Sequence, residues 1–299
     1  MTAPEGQNTT VAFVGLGVMG LPMLANVASA GFDVRAFDVA PQARETAREH
    51  GHTVVDAAAD ALAPADVVIT MLPDTPHVEQ VSREVLANCR PGTLLIDMST
   101  ISPLTTVELA RTLADAGMAM VDAPVSGGVK GAVAGALSIM VGGAPDDVER
   151  ARPVLASMGT PTCMGPSGAG QATKACNQVA VAINIQAVCE ALTLGVKLGV
   201  EPELLRKALL GGSAASWVLE NLGRQMIDGD DRAGFRISLQ VKDLRIATDA
   251  AARTATPLPG AFGVQDLYLE AIAQGEEANG NQALSRVYER LAAVNIARD

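Results

Sequence analysis

The sequence has no C-x-x-C pair and no grouping of cysteine, histidine and carboxylates at metal-ligand spacing. Its four cysteines, Cys89, Cys163, Cys176 and Cys189, are scattered, two of them inside one apolar helical stretch. Reduced, buried thiols of a cytoplasmic protein are therefore expected. His50 and His52 flank a turn and His77 stands alone, so no metal site is expected. Positive charge is scarce as well: 22 Lys and Arg against 33 Asp and Glu leave a formal net charge of −11. That balance argues against sequence-wide affinity for nucleic acid or anionic membrane, so an anionic ligand has to be held by local groups. The opening MTAPEGQNTT lacks the apolar core of a signal peptide and reads as a disordered leader over residues 1–10. The longest apolar region, Val179 to Val200, is interrupted by Asn184, Gln186, Glu190 and Lys197, which does not suit a span of roughly 20 apolar residues. No membrane segment is expected, and the chain shows neither an internal repeat nor low complexity.

With 299 residues, 48% hydrophobic and 18% charged, the chain has the balance of a globular protein and the length for two cores. From Val11 to about Val141, short β-branched runs alternate with Ala-rich helical stretches. VAFVG, DVRAFD, DVVITML, TLLIDM, MAMVDA and LSIMVGG read as strands of parallel βαβ units, their sheet covered on both faces. Past Gly165 the strand signals stop. Stretches at about 168–198, 202–211, 214–228, 239–253, 260–274 and 281–296 read as helices, broken at GGS, DGDD and TPLPG. The expected organisation is a leader over 1–10, an α/β domain over 11–165 and an all-α domain over 166–299. The long helix from about Gly168 to Leu198 is expected to join them. Its middle, VAVAINIQAVCEAL, is apolar around most of its circumference, which predicts a buried helix packed on the helical domain and on a second subunit.

GLGVMG, comprising Gly15, Leu16, Gly17, Val18, Met19 and Gly20, follows the first strand and opens a helix, where a G-x-G-x-x-G pattern has a physical meaning. Gly15 permits the tight turn, Gly17 lets the backbone approach a pyrophosphate, and Gly20 lets the helix pack closely on the strand. Asp38 ends the second strand at the distance expected of a ribose-binding carboxylate, so a Rossmann-type domain binding a dinucleotide is predicted. Asp38 would accept from the ribose hydroxyls and repel a 2′-phosphate, which favours NAD. Arg35 and Arg44 keep NADP open.

Two further segments carry candidate chemistry. In DAPVSGGVKGA, Ser126, Gly127 and Gly128 form a small-residue turn whose N–H groups could nest a carboxylate, although a plain loop at a strand end would look the same. In GPSGAGQATKACNQ a glycine-laced turn runs into a helix carrying Lys174, Asn177 and Gln178. Residues three and four apart share a helical face, so an ammonium and two amides can meet one small ligand. A lysine near a helix N-terminus opposes the helix dipole, so its placement calls for another benefit.

Taken with MLPD from Met71, IDMST from Ile96, GALSIMVGG from Gly135 and VKDL from Val241, these segments resemble the β-hydroxyacid dehydrogenases over Val11 to about Val294. The resemblance implies a Rossmann domain, a helical domain and an active site between them. It implies that Lys174 is the catalytic acid/base and that Ser126, Gly127, Gly128 and the amides after the lysine contact a small carboxylate substrate. Leu72, Pro73, Thr100 and Lys242 are implied cofactor contacts, and a homodimer or homotetramer is implied. Many members carry Asn where this chain has Gln178, which leaves open whether Asn177 or Gln178 meets the substrate. KACNQVAVAINIQAVCEAL and GFRISLQVKDL are similar to the branch that reduces tartronate semialdehyde to glycerate. Arg236 in the second segment is equally compatible with a substrate contact and a surface role. The branch that oxidises 3-hydroxyisobutyrate is the alternative, and a noncatalytic cofactor-binding relative is the remote one.

Overall fold

The computed structural model describes residues 9–297; the leader expected over 1–10 lies outside them except for its last two residues, and Thr10 already belongs to a strand. The chain divides into two compact units, one ending at Lys174 and the other starting at Ala175.

In the first unit the strands are β1 (Thr10–Val14), β2 (Asp33–Phe37), β3 (Val67–Thr70), β4 (Leu94–Asp97), β5 (Ala119–Asp122), β6 (Val125–Ser126), β7 (Leu137–Gly142) and β8 (Gly159–Gly165). Between them run α1 (Gly20–Ser29), α2 (Pro41–Glu49), α3 (Ala58–Leu62), α4 (Thr75–Asn88), α5 (Pro103–Asp115), α6 (Gly128–Ala134) and α7 (Pro145–Ala156). The sheet order is β2-β1-β3-β4-β5-β7-β6, with β8 also on β7. Alternation along each strand builds both faces. Val11, Phe13, Val67, Ile69, Leu94 and Ile96 enter one core, with Met23, Leu24 and Val27 of α1. Ala12, Val14, Val68 and Leu95 enter the other, with Val85 of α4 and Leu113 of α5. The sheet is thus covered on both faces, as a parallel βαβ array requires.

The expectation of purely parallel pairing is corrected at one end. β5 pairs β7 antiparallel through Asp122 and Gly142, and β6 pairs β7 antiparallel at Val125–Ile139 and Ser126–Ser138. The short α6 connection turns the chain back instead of carrying it across a face. β8 then pairs β7 in parallel. It carries Pro161 and is mostly exposed, as an edge position allows.

The second unit is helical. α8 (Ala169–Lys197) starts in the first unit and continues into it, followed by α9 (Pro202–Leu210), α10 (Gly223–Ile227), α11 (Ile237–Thr254), α12 (Pro259–Ala273) and α13 (Leu284–Ala292). A π-helical turn, Val218–Leu222, leads into α10, and a 3-10 turn, Asn281–Ala283, leads into α13. Ala182, Ile185, Val188, Cys189 and Leu192 of α8 meet Leu219, Ile227, Leu244, Val264 and Tyr268 in one core. The Tyr268 hydroxyl donates to the Asn281 carbonyl at 3.0 Å, which satisfies its one buried polar atom.

One other expectation changes, that of the cysteines. Within the single chain, α8 packs on the helical core, and Cys176, Ala180, Ile183, Ala187 and Leu194 form an exposed stripe at helical spacing. By length and composition alone α8 is long and apolar enough to cross a membrane, a test that the core helix of a soluble protein also passes. The four cysteines are free, as expected, but Cys163 and Cys176 are exposed and only Cys189 is fully buried. Burial pushes the Cys89 thiol up to about 11.

Candidate active site

The glycine loop between β1 and α1 is shaped by two kinds of constraint. Gly15 has φ +102, and a Cβ there would run into the Met71 carbonyl, so this turn needs glycine. A Cβ on Gly20 would run into the Gly15 carbonyl. At Gly17, by contrast, no protein atom lies within 4 Å of where a Cβ would be. Neighbours in the fold do not demand that glycine, whereas a diphosphate lying on the loop would. The N-terminus of α1 has no side-chain cap and no acid in its first turn, so its own N–H groups and dipole remain available to an anion. The loop fits the pyrophosphate of a dinucleotide.

Asp38 follows β2 and faces this loop. Its Oδ2 accepts from the Leu16 N–H at 2.7 Å and its Oδ1 from the Ala40 N–H at 2.7 Å. Arg44 does not reach outward from α2. It lies over the Phe37 ring at 5.8 Å and donates through Nη1 to the Asp38 carbonyl at 2.7 Å. Leu72 lies beside Gly15, and its N–H donates to Ser99 Oγ at 2.9 Å, which ties the MLPD turn to the end of β4. Pro73 is exposed, while Thr100 is half-buried beside Ser99 in sequence.

Ser126 ends β6, and Gly127 and Gly128 follow with φ +131 and +60 before and at the start of α6. The turn expected from small residues is present, and its two positive φ values explain the glycine pair.

Lys174 sits in the second turn of α8 and is 7% exposed. The residues that anchor this helix start were not singled out from sequence. Asp122, at the end of β5 and 1% exposed, accepts from the Gly168 N–H at 2.8 Å and the Gln171 N–H at 2.9 Å. Gly170 packs so closely that a Cβ would run into the Met140 carbonyl. Gln171, fully buried, donates to the Ser99 carbonyl at 2.8 Å and to Asp97 Oδ2 at 3.4 Å, and accepts from the Ile101 N–H at 3.1 Å. Asp97 also accepts from Thr70 Oγ1 at 2.8 Å and the Ser99 N–H at 3.1 Å. Burial pushes the Asp97 carboxyl up to about 6 and raises that of Asp122, and the hydrogen bonds they accept oppose both shifts. Gly168 and Gly170 of GPSGAGQATKACNQ therefore serve this docking of helix on strand ends.

In the second unit the structure brings together Asn177, Gln178 and Lys242 around Asp243. Asn177 Nδ2 donates to Gln178 Oε1 at 2.8 Å. Gln178 Nε2 donates to Asp243 Oδ2 at 2.5 Å, and Lys242 Nζ lies 2.7 Å from Asp243 Oδ1. Gln178 and Asp243 are buried, while Asn177 is half-buried. Arg236 is exposed, at the residue that precedes α11. Among the described residues no group of three or more His, Cys, Asp and Glu side chains is placed to hold a metal ion.

The NAD binding domain of 6-phosphogluconate dehydrogenase matches residues 10–179, and the NAD-binding domain of NADP-dependent 3-hydroxyisobutyrate dehydrogenase matches residues 168–288. A probable 3-hydroxyisobutyrate dehydrogenase of Mycobacterium tuberculosis is 42% identical over 273 residues, covering 89% of this chain and 93% of its own. The 2-hydroxy-3-oxopropionate reductase of Escherichia coli is 38% identical over 291 residues, covering 96% and 99%. A solved structure of the Mycobacterium tuberculosis 3-hydroxyisobutyrate dehydrogenase with L-serine superposes with a TM-score of 0.88 at 40% identity, covering 95% of this chain and 99% of that one.

Proposed function

The chain belongs to the β-hydroxyacid dehydrogenases, NAD(P)-dependent oxidoreductases of hydroxy acids, and from that premise we propose that it reduces tartronate semialdehyde (2-hydroxy-3-oxopropionate) to glycerate, with Lys174 as general acid. The observation that carries the proposal is Lys174 itself, a lysine withdrawn from water near the start of α8. An ammonium there is useful where negative charge develops on a reacting oxygen.

When bound, the dinucleotide supplies hydride to the aldehyde carbon. Lys174 Nζ gives its proton to the aldehyde oxygen as charge grows on it. In the reverse direction the neutral amine takes the hydroxyl proton. The Ser126 hydroxyl and the N–H groups of Gly127 and Gly128 hold the substrate carboxylate, and Asn177 meets the rest of the substrate. Gly15 to Gly20 hold the pyrophosphate, and Leu72, Pro73, Thr100 and Lys242 are the further cofactor contacts. The preference is for NAD: Asp38 presents a carboxylate at the ribose, and Arg44 is already turned back on its own loop.

The choice of tartronate semialdehyde is supported by the Asn177–Gln178 pair and by the near-complete coverage of the Escherichia coli reductase. Its rival, 3-hydroxyisobutyrate, is supported by the higher identity of the mycobacterial relative. The substrates differ by a hydroxyl against a methyl, which a site that hydrogen-bonds the hydroxyl separates strongly. Oxidation of NADH and NADPH with tartronate semialdehyde and methylmalonate semialdehyde, assayed side by side, decides. A higher kcat/KM for methylmalonate semialdehyde overturns the proposal in favour of the rival.

A homodimer or homotetramer in the cytoplasm completes the proposal. The exposed stripe Cys176, Ala180, Ile183, Ala187 and Leu194 supports a second copy as its cover, and a monomer in sedimentation velocity at micromolar concentration would count against it.

A further inference from the structure

We propose that Gln178 and Asp243 are positioning residues: a hydrogen-bond chain from Lys242 through Asp243 and Gln178 turns the Asn177 amide so that its carbonyl oxygen is offered to a substrate hydroxyl. The inference rests on the reading that Asn177 meets the substrate and deepens it, because it names the substrate feature that is read.

The chain has one polarity. An ionised carboxylate only accepts hydrogen bonds, and Asp243 takes Lys242 Nζ on Oδ1 at 2.7 Å and Gln178 Nε2 on Oδ2 at 2.5 Å. The Gln178 amide has its NH2 on Asp243, so its oxygen faces the other way. That oxygen accepts from Asn177 Nδ2 at 2.8 Å. Asn177 has its nitrogen committed in turn, and no other side-chain hydrogen bond engages it among the described residues. Flipping Gln178 would press an amide oxygen against the Asp243 carboxylate with no proton between them. With Gln178 4% and Asp243 2% exposed, water cannot relieve that clash. The Lys242 cation at one end therefore fixes which atom Asn177 presents at the other.

The Asn177 carbonyl oxygen, on the side of the amide away from Gln178, is left to accept from a donor. Tartronate semialdehyde carries a hydroxyl next to its aldehyde carbon, where methylmalonate semialdehyde carries a methyl. The chain is thus a device for reading that hydroxyl, and Gln178 takes part without touching it.

The test is a mutant cycle with Asn177→Ala, Gln178→Met, Asp243→Asn and the two doubles that contain Asn177→Ala. Each is assayed with both semialdehydes, and NADH affinity is followed by fluorescence. Asn177→Ala is expected to lower kcat/KM for tartronate semialdehyde roughly tenfold, the worth of one good hydrogen bond, with little change for methylmalonate semialdehyde. Gln178→Met and the nearly isosteric Asp243→Asn are expected to move selectivity the same way, and each double to be no worse than Asn177→Ala alone. NADH affinity of Gln178→Met should be unchanged. Losses that multiply in the doubles, or wild-type selectivity in folded Gln178→Met and Asp243→Asn, overturn the proposal. An unchanged Asn177→Ala overturns it together with Asn177 as a substrate contact. If the wild-type enzyme prefers methylmalonate semialdehyde, the substrate reading falls separately, and coupling between positions 177 and 178 on tartronate semialdehyde still decides whether Gln178 acts through Asn177.

Discussion

Asp122 in the first unit and Asp243 in the second are both almost fully buried acids that hold part of α8, and they do so by different means. Asp122 accepts from the backbone N–H groups of Gly168 and Gln171, which a side-chain substitution leaves in place. Asp243 accepts from the side chain of Gln178. A carboxylate on backbone amides fixes where a helix begins. A carboxylate on an amide side chain fixes where one functional group points, and one substitution can re-aim it. The first arrangement belongs to the fold and the second to the chemistry.

The sharpest division between them is expected at Lys174, which follows Gln171 by three residues and precedes Gln178 by four. Lys174→Ala should lower kcat by roughly 10² to 10⁴, the usual share of a general acid, while NADH binding and the urea midpoint stay near wild type. Normal turnover in this variant would remove the proposed acid. Asp122→Ala should do the opposite. It strips the acceptor from two buried N–H groups, at roughly 1–3 kcal/mol each, so urea denaturation should show a loss of roughly 2–6 kcal/mol. If Asp122→Ala unfolds like the wild type, the contrast with Asp243 collapses.

Asp97 is the intermediate case, held by Thr70 Oγ1, the Ser99 N–H and Gln171 Nε2, with Asp122 as the nearby like charge. Burial lifts its carboxyl from 3.8 to about 6, so the folded chain binds this proton more tightly than the unfolded chain. The resulting stability is fully present below the unfolded value and is lost as pH rises through about 6, to a total of about 3 kcal/mol. Relative to Asp97→Asn, the wild type should therefore lose stability between pH 4 and pH 7 and then level off. Parallel urea midpoints for the two proteins across that range would show that the carboxyl is ordinary.

What could be read from the sequence follows the same division. VAFVG and TLLIDM place their residues on alternate faces by period alone, and GLGVMG after a strand has few other meanings, so the sheet core and the cofactor loop were legible. Val125–Ser126 is too short to show a period, and β8, with its proline and exposed side chains, has no buried face to betray it, so the antiparallel end was not legible. Asp122 stood inside DAPVSGG as part of a pattern, and nothing local shows that its partners lie 46 and 49 residues on. Gln178 and Asn177 look equally available on a helix. Only Asp243, 65 residues away, buries one and leaves the other.

The glycine loop provides the finest test, because two glycines of one motif fall on opposite sides of the division. A Cβ on Gly20 meets the Gly15 carbonyl, so Gly20→Ala should strain the contact between α1 and β1 and cost roughly 1–3 kcal/mol of stability, as overpacking does. Gly17 faces open space, and its φ does not lie in the left-handed region. Gly17→Ala should leave the urea midpoint within about 0.5 kcal/mol of wild type, as substitutions away from packed features do. Its cost should fall on NADH affinity, read by fluorescence titration, because the added methyl occupies the side from which a diphosphate approaches the backbone. A Gly17→Ala protein that loses stability but keeps its affinity would place this glycine with the fold and leave the loop without its argument for a ligand.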